Sequence, residues 1–286
     1  MNFDSDIAIK MLRALDYPYW CPETSYLFFG DGFIHFEHFD ITDPKSSTVR
    51  LGSGELTSLQ DFLSGNGREI GELEKERHVV IAHGSNASPV QLAFKFSGKE
   101  AADPVIPVIR TTLRNYAVVY AAQFSLYGAV PATLTPVKGV NSSIYVNLLT
   151  DEQLTMLNKS EGLGDRYNLE RLPLGEVVLD GTVLEREPRA YIATGGALWL
   201  DESYWSVCRL SNEQQYGFPA ATQREILSRV KRLFRHEGDP EEFVVEQLND
   251  DRKRCERNEL LRAAYSKSFT EALKEVFDVE GERQGK

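Results

Sequence analysis

The chain has 286 residues and a formal charge of −11, because 32 lysines and arginines stand against 43 aspartates and glutamates. A hydrophobic fraction of 42% is typical of a folded protein, and the length is sufficient for a substantial core. The net negative charge argues against nucleic acid or an anionic membrane as the main partner.

Three cysteines lie far apart in the sequence, at Cys21, Cys208 and Cys255. An odd count without a Cys-x-x-Cys pair argues against a disulfide framework or a zinc finger, and it favours a reducing compartment. No apolar stretch reaches the length of a signal-peptide core or the roughly 20 residues of a membrane span. We therefore expect a cytoplasmic protein without a membrane partner; the sequence does not indicate an oligomeric state.

Residues 1–76 form the first of three expected segments. A short amphipathic helix is predicted from about Ile7 to Leu15, and two aromatic runs around Gly30-Asp31-Gly32 predict a β-hairpin. His35 and His38 flank Glu37 in this hairpin, but alternate faces of a strand do not converge on one ion. No metal site is therefore predicted.

Residues 77–204 form the second segment, which begins with a buried strand at Val79–Ala82. Gly84, Ser85 and Asn86 then predict a turn, and Ser88 to Gln91 has the pattern of a helix capping box. Free backbone N–H groups at such a helix start, with a glycine that permits close approach, favour an anion-binding site. On the local pattern alone, an ordinary strand–turn–helix connection is equally compatible.

The remainder of this segment contains short β-branched and aromatic runs separated by glycine and proline, which predict a closed or nearly closed small barrel. One helix is predicted from a capping box at Thr150–Gln153 to a stop at Gly162. Its spacing places Glu161 on the face of Leu154 and Leu157, where burial and the helix dipole would raise the carboxyl pKa. The alternative is that Glu161 faces solvent beyond a frayed helix end.

Residues 205–286 form the third segment, in which amphipathic patterns predict a helical extension. The helix starts include a capping-box pattern at Ser211–Gln214 and an Asp239-Pro240 start, while the last residues resemble a disordered tail.

The second segment resembles the γ-glutamylcyclotransferase-like family over about residues 77–195. The resemblance is carried by four pieces in the family's order: His83-Gly84-Ser85-Asn86 in place of its Tyr-Gly-Ser-Asn loop, the small-residue stretch GAVPATLTPVKG, the strand and helix SSIYVNLLTDEQLTMLNKSEG, and Tyr167 after the Glu-Gly pair. His83 replaces the family's tyrosine, and Ser142 lies where the family tends to have glycine, so the substrate cavity is expected to differ in shape.

The resemblance implies an α+β fold built on a small mixed β-barrel of the γ-glutamylcyclotransferase-like type with flanking helices. It implies an enzyme that releases 5-oxoproline from a γ-glutamyl amide, without metal or cofactor. Glu161 would be the general acid and base. His83, Gly84, Ser85, Asn86 and Tyr167 would bind the small-molecule substrate. The alternative is a domain of this type that has lost catalysis and serves as a binding or scaffold module.

Overall fold

The computed structural model describes residues 5–96, 104–179, 182–208 and 216–277. In these ranges the protein has a mixed α+β fold with nine α-helices and sixteen strands. The helices are α1 (Ser5–Leu15), α2 (Leu59–Gly65), α3 (Gly71–Glu74), α4 (Pro89–Phe96), α5 (Asp151–Glu161), α6 (Gln223–Leu233), α7 (Pro240–Asn249), α8 (Asp251–Ala264) and α9 (Phe269–Phe277). Across the same ranges, no helix is both long enough and apolar enough to cross a membrane.

The strands fall into one large sheet and one small sheet. They are β1 (Tyr26–Phe29), β2 (Gly32–His38), β3 (Thr48–Arg50), β4 (Leu56–Ser58), β5 (His78–Ala82), β6 (Val105–Tyr120), β7 (Ala132–Leu149), β8 (Tyr167–Arg171), β9 (Val177–Leu179), β10 (Thr182–Val183), β11 (Pro188–Ala193), β12 (Ala197–Leu200), β13 (Ser203–Tyr204), β14 (Ser206–Val207), β15 (Ala220–Ala221) and β16 (Ser266–Lys267). The small sheet has the order β13-β12-β16.

The large sheet is mostly antiparallel, with the order β4-β3-β2-β1-β6-β7-β5-β11-β8 along its main path. In the described ranges, the parallel pairs are β5 with β11 and β14 with β15. The path begins at β4 and ends at β8 without a pairing that joins these two strands among the described residues. The expected α+β class is therefore confirmed, whereas closure into a barrel is not.

The predicted hairpin at Gly30-Asp31-Gly32 is confirmed. Phe29 pairs with Gly32, which leaves a two-residue turn. Gly30 has a φ of +56°, a left-handed conformation that glycine adopts without a steric penalty.

Strand β5 lies in the interior of the large sheet, between β7 and β11. Its last four residues, 79–82, are all buried, as expected for a strand that is covered on both faces. The chain that leaves β5 therefore emerges from the middle of the sheet, and this is where the loop of interest begins.

All three expected segments contribute to the large sheet and its surroundings. Strand β1 of the first segment pairs with β6, and β14 of the third segment also pairs with β6. Helices α6 to α9 form the expected helical extension; the capping-box pattern at Ser211–Gln214 and the C-terminal tail lie outside the described residues. The boundaries at 76/77 and 204/205 stay a prediction, because strand pairing does not test independent folding.

Candidate active site

The loop after β5 turns through His83 and Gly84 into a 3₁₀ turn, Ser85–Ala87, which leads directly into α4. Pro89 occupies the first helical position, where its missing N–H is not needed. The capping box predicted here is wrong. The Ser88 Oγ is buried and has no partner among the described residues, and the Gln91 side chain instead accepts a hydrogen bond from Arg13 at 3.3 Å.

Helix α5 begins and ends as the sequence predicts. Thr150 and Gln153 form both hydrogen bonds of a capping box, and Gly162 ends the helix in the left-handed conformation with φ of +65°. Glu161 is the last helical residue, and only 14% of its side chain is exposed. The alternative in which Glu161 faces solvent is therefore wrong.

Helices α4 and α5 both contribute residues to the lining of a cavity of about 280 Å³. This volume lies near the lower end of the roughly 300–1,000 Å³ that small-molecule sites occupy. All six residues that the sequence nominates line the cavity: His83, Gly84, Ser85, Asn86, Glu161 and Tyr167. Their shared position is established, whereas their catalytic and binding roles stay predictions.

Ser142 does not narrow this cavity, contrary to the expectation from the sequence. It lies outside the lining, and its hydroxyl bonds to the Tyr116 carbonyl oxygen at 2.5 Å and to the Tyr216 hydroxyl at 2.6 Å. The side chain at this position therefore supports a different part of the fold.

The Glu161 carboxylate belongs to a cluster with Asn86 and Lys95. The Asn86 Nδ2 donates to Glu161 Oε1 at 2.9 Å, and the Lys95 Nζ forms an ion pair with the same oxygen. The Lys95 Nζ also donates to Asn86 Oδ1 at 2.8 Å, so that each member contacts the other two. Only 8% of the Lys95 side chain is exposed, which makes this a buried ion pair.

This cluster overturns the expectation of a raised pKa at Glu161. Burial raises the pKa of this carboxyl, but the Lys95 ammonium and the Asn86 amide outweigh burial and hold the pKa below its ordinary value. For Lys95 the effect of burial has the opposite sign: burial lowers the pKa of its ammonium, while the negative charge of Glu161 acts to raise it. The carboxyl is therefore an ionised group at neutral pH.

Burial determines the charge of His83. Burial lowers the pKa of His83 to about 4, and the nearby Glu161 charge offsets this only in part. The Nδ1 atom is buried and has no hydrogen-bond partner among the described residues. His83 thus presents a neutral ring to the cavity at physiological pH.

Tyr17 is a site residue that sequence reasoning missed. Its side chain enters the cavity from the first segment, and its hydroxyl accepts a hydrogen bond from the Ala132 N–H at 2.8 Å. A Cβ on Gly84 would lie 2.6 Å from the same oxygen. The backbone of Gly84 is not in the left-handed region, so this close approach is what requires glycine.

Helix α4 supplies Lys95, another residue that sequence reasoning missed. The helix buries Gln91 and Lys95 while it exposes Val90 by 61% and Phe94 by 64%. Leu92 and Phe96 are buried as well, so two polar residues share the buried face of this helix with apolar ones. The run PVQLAFKF alone does not reveal that Lys95 is buried, because apolar residues occur on both faces.

Comparisons with known proteins do not establish a family. No protein-family model matches the chain, and no curated protein matches it in sequence. Among solved structures, it is similar to a crystal structure of an uncharacterized protein from Homo sapiens, with 16% identity, a TM-score of 0.34, and coverage of 42% of this chain and 68% of the human one. The resemblance to γ-glutamylcyclotransferase-like proteins therefore rests on the sequence motifs alone.

Proposed function

We propose that the protein is an enzyme of the γ-glutamyl cyclotransferase type, which releases 5-oxoproline and a free amine from a γ-glutamyl amide. One observation carries the proposal. The buried carboxylate of Glu161 and the Gly84–Asn86 turn, which the family resemblance nominates from separate motifs, line the same cavity.

The reaction uses the substrate's own amine as the nucleophile. Backbone N–H groups of the Gly84–Asn86 turn bind the glutamyl α-carboxylate, and the α-ammonium lies beside Glu161. Glu161 accepts a proton from this ammonium, and the resulting amine attacks the γ-carbonyl carbon to close a five-membered ring. Protonated Glu161 then donates its proton to the leaving nitrogen as the amide C–N bond breaks. The regenerated carboxylate takes the second proton from the ring nitrogen and passes it to the released amine, which leaves as an ammonium.

Lys95 fits this scheme as the group that keeps Glu161 ionised before the substrate binds. An ionised carboxylate is the form that accepts the ammonium proton. Because His83 is neutral, the cavity wall beside Gly84 carries no imidazolium charge that would repel the substrate ammonium.

A catalytically inactive binding or scaffold module is the second candidate. It is favoured by the ion pair, since Lys95 occupies the position beside Glu161 that a substrate ammonium would take. Tyr17 adds to this argument because its hydroxyl lies against Gly84, where a ligand would approach the turn.

Measurement of 5-oxoproline release from a panel of γ-glutamyl amides separates the two candidates. We expect release by the wild-type protein and a fall in turnover of roughly 10²–10⁴ for Glu161→Gln, which keeps the shape but cannot carry the proton. Glu152→Gln is the matched control, because Glu152 lies exposed on the same helix.

Circular dichroism and thermal unfolding of each variant test whether the substitutions leave the fold intact. Absence of release from every compound would reject the enzyme and favour the binding module. Near-full turnover by Glu161→Gln would show that another group carries the proton.

A further inference from the structure

The loop between β6 and β7, residues 121–131, forms part of the cavity wall. Its residues Ser125, Leu126 and Tyr127 line the same space as the Gly84–Asn86 turn. Burial raises the pKa of the Tyr127 hydroxyl, which therefore stays protonated and available as a hydrogen-bond donor. The shape and the polarity of the cavity thus depend on where this loop lies.

The helical extension holds this loop in place. The Phe124 N–H donates to Oδ1 of Asn258 in α8 at 2.6 Å, across 134 positions of sequence. The Phe124 ring is 2% exposed, and its centroid lies 6.2 Å from that of Phe234 and 5.7 Å from that of Phe243. One hydrogen bond and one aromatic cluster from the extension therefore fix the backbone just before Tyr127.

Gln123 connects the same loop to another part of the cavity wall. Its Nε2 donates to the Arg166 carbonyl oxygen at 3.1 Å, and its Oε1 accepts a hydrogen bond from the Gly195 N–H at 3.0 Å. Arg166 and the adjacent Tyr167 line the cavity. Because Gln123 directly precedes Phe124, the position of Phe124 affects this part of the wall as well.

A second residue of α8 supports that part of the wall. Arg262 lies four positions after Asn258 and therefore on the same face of the helix. Its guanidinium donates to the Thr194 hydroxyl at 3.2 Å, and this hydroxyl donates to the Asp165 carbonyl oxygen at 2.7 Å. One face of α8 thus supports two parts of the cavity wall.

Helix α8 is outside residues 77–195, the part of the chain that resembles the family. None of its residues lines the cavity as the described part of the chain forms it, so α8 acts on the site through the loops that it holds. Asn258 provides the acceptor for a buried backbone N–H. Loss of this acceptor would leave the donor unsatisfied and would favour a shift of the loop towards water.

We propose that Asn258 is a positioning residue of the cavity, which fixes the loop 121–131 so that Tyr127 lies where it contacts the bound ligand. The kinetic part of the proposal rests on the proposed function. Its expected signature is a change in KM and not in kcat, because the proton-transfer group Glu161 is held by Asn86 and Lys95 and not by this loop.

Three variants of the full chain test the proposal. Asn258→Ala removes the acceptor, whereas Asn258→Asp keeps an oxygen that accepts from the Phe124 N–H. A carboxylate at this position lies four residues from both Arg254 and Arg262, a spacing that suits opposite charges on a helix. Glu259→Ala is the matched control, because Glu259 is the next residue of α8 and is exposed.

Steady-state kinetics use a γ-glutamyl amide that the wild-type protein turns over. We expect Asn258→Ala to raise KM by roughly 5- to 10-fold, the usual worth of one hydrogen bond, and to leave kcat within about twofold. Asn258→Asp and Glu259→Ala should keep the wild-type KM. An unchanged KM in Asn258→Ala, or a raised KM that Asn258→Asp does not restore, would overturn the proposal.

Amide hydrogen exchange of the same variants tests the structural step. We expect exchange in Asn258→Ala to be roughly 10-fold faster at residues 124–128 and unchanged in β5 and α5. The Asp variant should exchange as the wild-type protein does. Equal acceleration in all of these elements would indicate a general loss of stability and would overturn the positioning role.

Calorimetric binding separates this proposal from the proposed function. If no γ-glutamyl amide yields 5-oxoproline, the proposed function fails, and the Kd values of the same compounds take the place of KM. A Kd that is raised in Asn258→Ala and restored in Asn258→Asp would still support the positioning role. Equal Kd values in all variants, or no detectable binding of any compound, would reject it.

Discussion

At the scale of single residues, the protonation state of Glu161 depends on Lys95. Burial by itself raises the pKa of Glu161, and the neighbouring ammonium reverses this direction. A general base acts only when it is deprotonated, so activity falls as the pH drops through this pKa. This fall in activity is the acid limb of the pH profile. In the wild-type protein we expect its midpoint to lie below the pKa of a free glutamate, which is about 4.3.

Lys95→Met removes the charge but retains most of the apolar stem. The loss of an opposite charge in direct contact should raise the pKa of Glu161, so the acid limb moves to higher pH. The measurement is the pH dependence of 5-oxoproline release from a γ-glutamyl amide that the wild-type protein turns over. Circular dichroism at each pH separates loss of activity from unfolding, because an unpaired buried carboxylate is destabilising.

Lys95→Arg is the matched control, since it keeps a positive charge and should leave the acid limb where it is in the wild-type protein. An unmoved acid limb in Lys95→Met would show that the ion pair does not control the base, or that Glu161 is not the base.

The sequence identified the site residues that belong to local patterns, namely the Gly84–Asn86 turn and the end of α5. It did not identify the residues that reach the site from elsewhere. The hydrogen-bonded residues are far apart in the sequence: Lys95 and Glu161 are separated by 66 positions, Arg13 and Gln91 by 78, and Tyr17 and Ala132 by 115. Such contacts depend on how the elements pack, and no periodicity or capping signal encodes them.

At the scale of elements, the same distinction holds. The hairpin at Gly30-Asp31 and both ends of α5 follow from short-range hydrogen bonds, and the sequence predicted them correctly. The capping box at Ser88 failed because Gln91 bonds to Arg13 of a distant helix instead. The closed barrel is not confirmed because no pairing joins β4 and β8 among the described residues. Such a pairing would be a long-range contact, which local sequence patterns do not encode.

The turn between β5 and α4 provides a prediction at this scale. A side chain added at Gly84 should weaken ligand binding, and because Tyr17 lies so close it should lower stability too. Gly84→Ala would place its Cβ 2.6 Å from the buried Tyr17 hydroxyl, so this ring must move. We expect a loss of roughly 1–3 kcal/mol in the free energy of unfolding, measured with urea.

Tyr17→Phe removes the oxygen and should cost about 1 kcal/mol through the lost hydrogen bond from Ala132. In the double variant the nearest remaining ring atom would be 3.7 Å from the new Cβ, an ordinary contact. The double variant should therefore lose less stability than the sum of the single variants. Additive losses would show that the two residues do not interact as the structure indicates.

At the scale of the whole molecule, the first segment packs against the second. Phe28 of β1 is fully buried in a cluster with residues of β5, α4 and α5, among them Val80, Leu92 and Leu157. Tyr17 and Arg13 of the same segment line the cavity. Whether residues 1–76 and residues 77–204 unfold independently or as one unit can therefore be measured.

Phe28→Ala should destabilise the protein by roughly 3–5 kcal/mol, because it leaves a cavity in this shared cluster. Phe33→Ala is the matched control; Phe33 pairs with Phe28 in the hairpin but is 36% exposed, so its loss should be smaller. If the segments unfold as one unit, Phe28→Ala accelerates amide hydrogen exchange in β5 as much as in β1 and β2. Faster exchange confined to β1–β4 would instead show that the first segment is a separate domain, which would support the boundary at 76/77.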